Sequence, residues 1–173
     1  ESHVPLLVRM FGYGTRIMVL AQALSAAQAR SALQAGMDVV RHLPGNVLAV
    51  GEVGVANQAS AALLLSRLCG VPMADAFPRD DSPGTPLDDS VHFQRVDKLL
   101  AAAQRHAQST APLHALAAFG GFEIAMMAGA MLQAASERRV VLVDGVVSGA
   151  AALVARALVP AVTDYLVFSH RSA

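Results

Sequence analysis

The stretch Asn46–Gly70, NVLAVGEVGVANQASAALLLSRLCG, sets the architecture of the chain. Its apolar run Val47–Val50 has the length of a strand, and Gly51 and Gly54 follow in a short loop. An alanine- and leucine-rich helical pattern begins directly after this loop. In an open α/β sheet, ligands bind at the carboxyl ends of strands, and the free N–H groups of a helix N-terminus attract anions. We therefore expect a small anionic ligand over this loop.

Size and charge limit the classes of protein to consider. The chain has 173 residues, with 13 basic and 13 acidic side chains and a formal net charge of +0. We predict a single α/β domain over residues 1–173. A balanced charge lacks the excess of basic residues that is typical of nucleic-acid-binding proteins. The longest uncharged runs are shorter than the roughly 18 residues of a membrane span. Neither nucleic acid nor a membrane is therefore an expected partner.

Cysteine usage bears on the redox compartment and on metal binding. Cys69 is the only cysteine, so the chain can form neither a disulfide framework nor a cysteine-rich zinc site. This fits a reducing environment, and we predict a cytoplasmic location with no metal site.

The order of the other elements predicts the fold class. Ser25 and Gln28 form a capping-box pattern that starts a helix. Helical spacing or composition predicts helices over Ala26–Val40, Asp89–Gln108, a short segment opening at Pro112, Phe122–Glu137 and Ser148–Leu158. Apolar runs predict two more strands, Val140–Val143, expected to be covered on both faces, and Tyr165–Phe168. This order indicates a three-layer αβα fold, with a mostly parallel, Rossmann-like sheet and helices on both faces.

Several candidate residues have more than one interpretation. Glu52 is suited to a ligand site, but a carboxylate at a helix N-terminus is also favourable by itself. Gly54 and Gly145 suit close backbone approach, or merely tight turns. His170 beside Ser169 is interpreted as structural, because no Gly-x-Ser-x-Gly elbow accompanies it. The polar segment Phe77–Asp89 is predicted to be a loop near the site.

Several motifs together, in this order and spacing, resemble the nicotinate-nucleotide-dimethylbenzimidazole phosphoribosyltransferase family. They are GEVGVANQASAALL from Gly51, PLDDS from Pro86, LAAFGGFEIAMMAGAML from Leu116, VVLVDGVVSGAAALVA from Val140 and DYLVFSHRSA from Asp164. A series of motifs in a fixed order is far more specific than one glycine loop.

The resemblance implies an activity in cobalamin biosynthesis. A 5-phosphoribosyl group would pass from nicotinate mononucleotide to 5,6-dimethylbenzimidazole, giving alpha-ribazole 5'-phosphate and nicotinate. It also implies that no metal or redox cofactor takes part and that the enzyme is a homodimer.

The resemblance also implies a set of substrate-binding residues. Arg95 stands where the family has a lysine that neutralises the phosphate, and Glu52 matches a glutamate beside the bases. Backbone around Gly54 and Gly145 would meet the phosphate and ribose. The whole implied set is Glu52, Gly54, Asn57, Arg95, Gly145 and Ser172.

The departures from the family pattern affect catalysis. Ala56 replaces a glycine, and Gln58 and Ala59 replace two threonines, which removes hydroxyl donors. The family's general base lies in a Gly-Glu-Gly motif, which this sequence does not contain. We therefore predict no catalytic residue in this chain and no turnover by it alone. The interpretation left open beside the enzyme is a noncatalytic nucleotide-phosphate-binding or regulatory relative.

Overall fold

A computed structural model describes residues 18, 20–54, 57–77 and 89–170, with only the backbone of Asp89. The helices within these ranges are α1 (Ala26–Arg41), α2 (Asn57–Cys69), α3 (Met73–Ala76), α4 (Asp89–Arg105), α5 (Pro112–Phe119), α6 (Phe122–Ser136) and α7 (Val146–Leu158). The strands are β1 (Val47–Val50), β2 (Val140–Val143) and β3 (Leu166–Phe168), and a 3-10 helix, Pro160–Tyr165, precedes β3.

Helix α1 begins at the predicted capping box. The Ser25 hydroxyl accepts the Gln28 backbone N–H at 3.1 Å, while the Gln28 side-chain oxygen accepts the Ser25 backbone N–H at 2.8 Å. Two N–H groups that the helix leaves without partners are thereby satisfied. The prediction of this helix start is confirmed.

The three strands form one parallel sheet in the order β1-β2-β3. Val47 pairs with Val140 at one end of the β1–β2 register, and Val143 pairs with Phe168 in β2–β3. The predicted α/β class with a parallel sheet is confirmed. Because the strands are parallel, the loops that follow all three lie at the same edge of the sheet.

The two faces of the sheet are covered unequally in the described part of the chain. Val141 and Val143 are buried, whereas Val140 and Leu142, which alternate with them, are each 39% exposed. Helices α6 and α7, which contact β2, bury the face of Val141 and Val143. The expectation that β2 is covered on both faces is therefore wrong for the described residues. A continuous apolar run does not reveal how much chain lies over each face.

The core lies mainly where the helices pack against one another, and Val141 and Val143 of β2 join it from the sheet. Among its largest fully buried side chains are Phe119, Leu116, Ile124 and Met131. Helix α6 packs closely on α1. Of the helices that the structure describes, none is both long and apolar enough to cross a membrane.

Some predicted boundaries shift by one to three residues. Helix α4 ends at Arg105 rather than Gln108, and α7 begins at Val146 rather than Ser148. Tyr165 closes the 3-10 helix that Pro160 opens, so β3 starts one residue later than expected. Residues 78–88, which make up most of the predicted polar loop, lie outside the described residues.

Candidate functional site

A cavity of about 390 Å³ opens at the carboxyl edge of the sheet, between the loops that follow β1 and β2. One wall comes from the β1 loop and the start of α2, the other from the β2 loop and the start of α7. The lining residues are Glu52, Val53, Gly54, Asn57 and Gln58 on the first wall, and Asp144, Gly145, Val146, Val147 and Ser148 on the second.

Glu52 and Asn57 contact each other across Gly54. The Asn57 amide donates a hydrogen bond to Oε2 of Glu52. A β-carbon added to Gly54 would lie 2.6 Å from Nδ2 of Asn57 and 2.8 Å from Oε2 of Glu52. Glycine at position 54 therefore leaves room for this hydrogen bond, which joins the loop to the first residue of α2.

The carboxyl group of Glu52 has a pKa raised above its ordinary value of 4.5. Burial is the largest cause, and the carboxylate of Glu123 is the second, because each disfavours the charged form. A hydrogen bond from the Gly54 backbone opposes the shift.

Glu123 raises the pKa of Glu52, and the sequence did not point to it. It lies in the first turn of α6, and its carboxylate folds back over Gly121, where an added β-carbon would lie 2.1 Å from Oε1. The available signal was the pair Gly120-Gly121 directly before it in the family-like motif.

Gly145 begins the second wall with a backbone that other residues rarely adopt. Its φ is 86° and its ψ is 170°, a region populated essentially by glycine alone. Gly145 is the N-cap of α7, and its carbonyl accepts the Gly149 N–H at 3.0 Å. The N–H groups of the first turn have no partner within the helix, so they can bind an anion.

Ser148 stabilises this helix start. Its hydroxyl donates to the Asp144 carbonyl and also lies 3.1 Å from the Gly145 carbonyl. The hydroxyl thus fastens the loop that precedes α7.

Asp144 links the loops after β2 and β3. Its Oδ1 accepts the Ser169 hydroxyl at 2.7 Å and lies 3.0 Å from Nε2 of His170. The structural interpretation of His170 agrees with this contact.

Of the six predicted site residues, the structure brings Glu52, Gly54, Asn57 and Gly145 together around one cavity. Arg95 is exposed on α4 and does not line that cavity. Ser172 lies outside the described residues, as does Ala56 in the β1 loop.

A second cavity of about 440 Å³ adjoins the first at Gly145 and Val146. Its walls come from α2, α3, α7 and β3 and are largely apolar, with Arg156 and His170 among the lining residues. In the described ranges, no group of three or more His, Cys, Asp or Glu side chains is arranged to hold a metal ion.

Comparison of the sequence with known proteins points to one family. A family model described as phosphoribosyltransferase matches residues 2–173. The nicotinate-nucleotide–dimethylbenzimidazole phosphoribosyltransferase of Cupriavidus taiwanensis is 48% identical over 162 residues, which cover 92% of this chain and 46% of that protein. The protein of the same name from Variovorax paradoxus is 44% identical over 173 residues, which cover 100% of this chain and 48% of that protein.

Comparison of the fold gives the same result. The crystal structure of CobT from Thermus thermophilus superposes with a TM-score of 0.82 at 28% sequence identity, covering 91% of this chain and 47% of that one. The chain thus spans about half the length of the relatives that it matches. The described fold, the sequence identity and the family model agree, and the chain belongs to the nicotinate-nucleotide–dimethylbenzimidazole phosphoribosyltransferase family.

Proposed function

We propose that the protein to which this sequence belongs is a phosphoribosyltransferase of cobalamin biosynthesis. It transfers the 5-phosphoribosyl group of nicotinate mononucleotide to 5,6-dimethylbenzimidazole, and the products are alpha-ribazole 5'-phosphate and nicotinate. The observation that carries the proposal is the cavity between the β1 and β2 loops, because Glu52, Gly54, Asn57 and Gly145 all line it. Relatives 48% identical to the chain carry the name of this activity.

In this proposal the cavity receives the phosphate and ribose of the nucleotide. Backbone N–H groups at the start of α7 bind the phosphate, since no side chain caps that helix end. We also assign Arg95, which does not line the cavity, and Ser172 to substrate binding. Arginine can grip a phosphate through two parallel hydrogen bonds. Glu52 lies beside the ribose and the bases.

The chemistry needs positioning together with proton removal. Holding the anomeric carbon against the attacking ring nitrogen turns a bimolecular step into an intramolecular one. The attacking nitrogen must also lose its proton to a base. We assign no such base within residues 1–173, because the sequence lacks the Gly-Glu-Gly motif. We further propose a homodimer in the cytoplasm that uses no metal or redox cofactor.

The test is product formation by the protein that the intact gene encodes. Nicotinate mononucleotide and dimethylbenzimidazole are supplied, and the nucleotide product is followed by chromatography. We expect Glu52→Gln and Arg95→Ala each to lower kcat/KM by about tenfold or more, equivalent to about 1.4 kcal/mol of transition-state stabilisation. Asp164→Ala, an exposed change on the 3-10 helix, is the control. Wild-type rates in both site variants would contradict the site assignment.

A second candidate function is nucleotide-phosphate binding without catalysis. The replacements at Ala56, Gln58 and Ala59 favour it, because hydroxyl donors of the family loop are missing. Calorimetry separates the two functions. A protein from the intact gene that binds nicotinate mononucleotide but forms no product would support the binding function and contradict the enzyme.

A further inference from the structure

We propose that Asp144 is a positioning residue that fastens the turn after β3 to the loop after β2 and thereby holds Gly145 in place at the candidate site. The part of this inference that concerns the ligand rests on the proposed function. The part that concerns the fastening stands on contacts between described residues.

Three hydrogen bonds or ion-pair contacts join the two segments. The Ser169 hydroxyl donates to Oδ1 of Asp144 at 2.7 Å, and Nε2 of His170 lies 3.0 Å from the same oxygen. The Ser169 backbone N–H also donates to the Val143 carbonyl at 3.0 Å, which extends the β2–β3 pairing beyond the last strand residue. Oδ1 of Asp144 thus contacts two side chains of the turn after β3, which begins 25 residues further along the chain.

Asp144 is held on its other side as well. Its backbone carbonyl accepts the Ser148 hydroxyl, which comes from the first turn of α7. Gly145 lies in the chain between Asp144 and Ser148, and its φ is 86°. As a glycine it has no side chain that packing could hold in place. The contacts of Asp144 therefore supply the constraint that the glycine lacks.

The location of this cluster connects it with ligand binding. Asp144 lines the cavity with Glu52 and Gly54, while His170 lines the adjoining cavity on the far side of Gly145. Gly145 and Val146 line both cavities. Movement of the turn after β3 would therefore shift the wall that the two cavities share.

The side chains of Asp144 and His170 are too exposed for their contact to stabilise the whole fold, so we assign the contact a local effect on the two loops. The side chains of His170 and Asp144 are 52% and 68% exposed, and ion pairs this exposed add little to global stability. Loss of the carboxylate should consequently loosen the two loops without changing the midpoint of unfolding. A purely structural residue would show the opposite pattern.

Two measurements on the full chain test the proposal. The first is hydrogen exchange at the Ser169 and Gly149 amides, which donate to the Val143 and Gly145 carbonyls. The second is the calorimetric affinity for nicotinate mononucleotide. We expect Asp144→Ala to speed both exchange rates and to weaken binding about fivefold, the effect of losing one hydrogen bond of ordinary strength. Asp144→Asn should keep the exchange rates within about twofold of wild type, because its amide oxygen still accepts from Ser169. Asp164→Ala is the matched control.

Each outcome bears on one claim. Unchanged exchange at Ser169 and Gly149 in Asp144→Ala would overturn the fastening role. Faster exchange with unchanged nucleotide affinity would overturn its connection with the site. Exchange as fast in Asp144→Asn as in Asp144→Ala would overturn the geometric explanation. If the wild-type chain shows no nucleotide binding, the ligand assignment fails, and the exchange rates still decide whether Asp144 holds the two loops together.

Discussion

A β-carbon on Gly129 would lie 1.9 Å from the carbonyl oxygen of Leu33, so α6 and α1 pack backbone against backbone at this point. The contact is reciprocal, because a β-carbon on Gly36 of α1 would lie 1.9 Å from the carbonyl oxygen of Met126 in α6. A backbone carbonyl cannot rotate away as a flexible side chain can. The spacing of the two helices therefore depends on both glycines.

We predict that Gly129→Ala and Gly36→Ala each lower the free energy of unfolding by about 3 kcal/mol, at the upper end of the usual cost of overpacking. Urea unfolding measures the change. Gly149→Ala in the first turn of α7 is the control, because nothing lies within 4 Å of its added β-carbon. That variant should gain up to about 1 kcal/mol from helix propensity. Unaltered stability of Gly129→Ala would contradict the close packing of α1 and α6.

The sequence predicted those elements whose signals are local. Val47–Val50 and Val140–Val143 have the predicted bounds, because short apolar runs between turn residues mark strands well. The start of α1 was predicted because the Ser25 and Gln28 bonds join residues three positions apart.

Other features depend on contacts between distant parts of the chain. Helix α4 ends three residues early, where the Arg67 guanidinium binds the Ala103 carbonyl, which the Ala107 N–H would use in a longer helix. The loop motif that begins at Gly51 could be recognised in the sequence, and Glu52 and Gly54 of this loop both line the cavity. The effect of Glu123 on Glu52 could not be predicted, since no pattern within either segment refers to the other.

Gly54→Ala should change ligand binding more than stability. The new β-carbon meets only the side chains of Asn57 and Glu52, which can rotate, so the cost to folding is small. Their hydrogen bond would be lost, and we expect about tenfold weaker binding of nicotinate mononucleotide by calorimetry, as for a hydrogen bond to a charged group. Gly51→Ala, in the same loop but with nothing within 4 Å, should bind normally. Equal affinities for the two variants would argue against a role for the Glu52–Asn57 contact.

The pKa of Glu52 should fall when Glu123 is neutralised. Glu123→Gln removes the second-largest cause of the raised pKa, whereas Glu137→Gln at the opposite end of α6 should have no effect. Carbon-13 NMR titration of the glutamate carboxyl groups measures both. A Glu52 titration that is the same in Glu123→Gln as in the wild type would show that the two carboxylates do not interact.

The raised pKa of Glu52 also makes stability depend on pH. The folded chain holds this proton more tightly than the unfolded chain, so the associated stability is present below pH 4.5 and is lost as pH rises through the folded pKa. Relative to wild type, Glu52→Gln should therefore become more stable as pH increases over that interval. Urea unfolding on the acid and neutral sides of the interval compares the two proteins, and a difference independent of pH would contradict the prediction.

Lysine at position 67 should not stabilise the fold as Arg67 does. Its guanidinium donates to the carbonyls of Ala103 and Ala107 at 2.7 Å and to that of His106 at 3.0 Å, and it lies 5.1 Å from the ring centre of Phe119. The His106 carbonyl also accepts the Ser109 N–H at 2.9 Å. A planar fork can reach several carbonyls at the end of α4 where an ammonium group cannot.

We expect Arg67→Lys to lower the free energy of unfolding by about 2 kcal/mol, since hydrogen bonds from a charged donor are lost while the charge is kept. Hydrogen exchange should accelerate in the turn that follows α4, His106 to Ser109, because its carbonyls lose their common donor. Arg30→Lys on the exposed side of α1 provides the matched control and should leave both measurements unchanged. If Arg67→Lys unfolds at the wild-type urea concentration, the early end of α4 must have a cause other than this guanidinium.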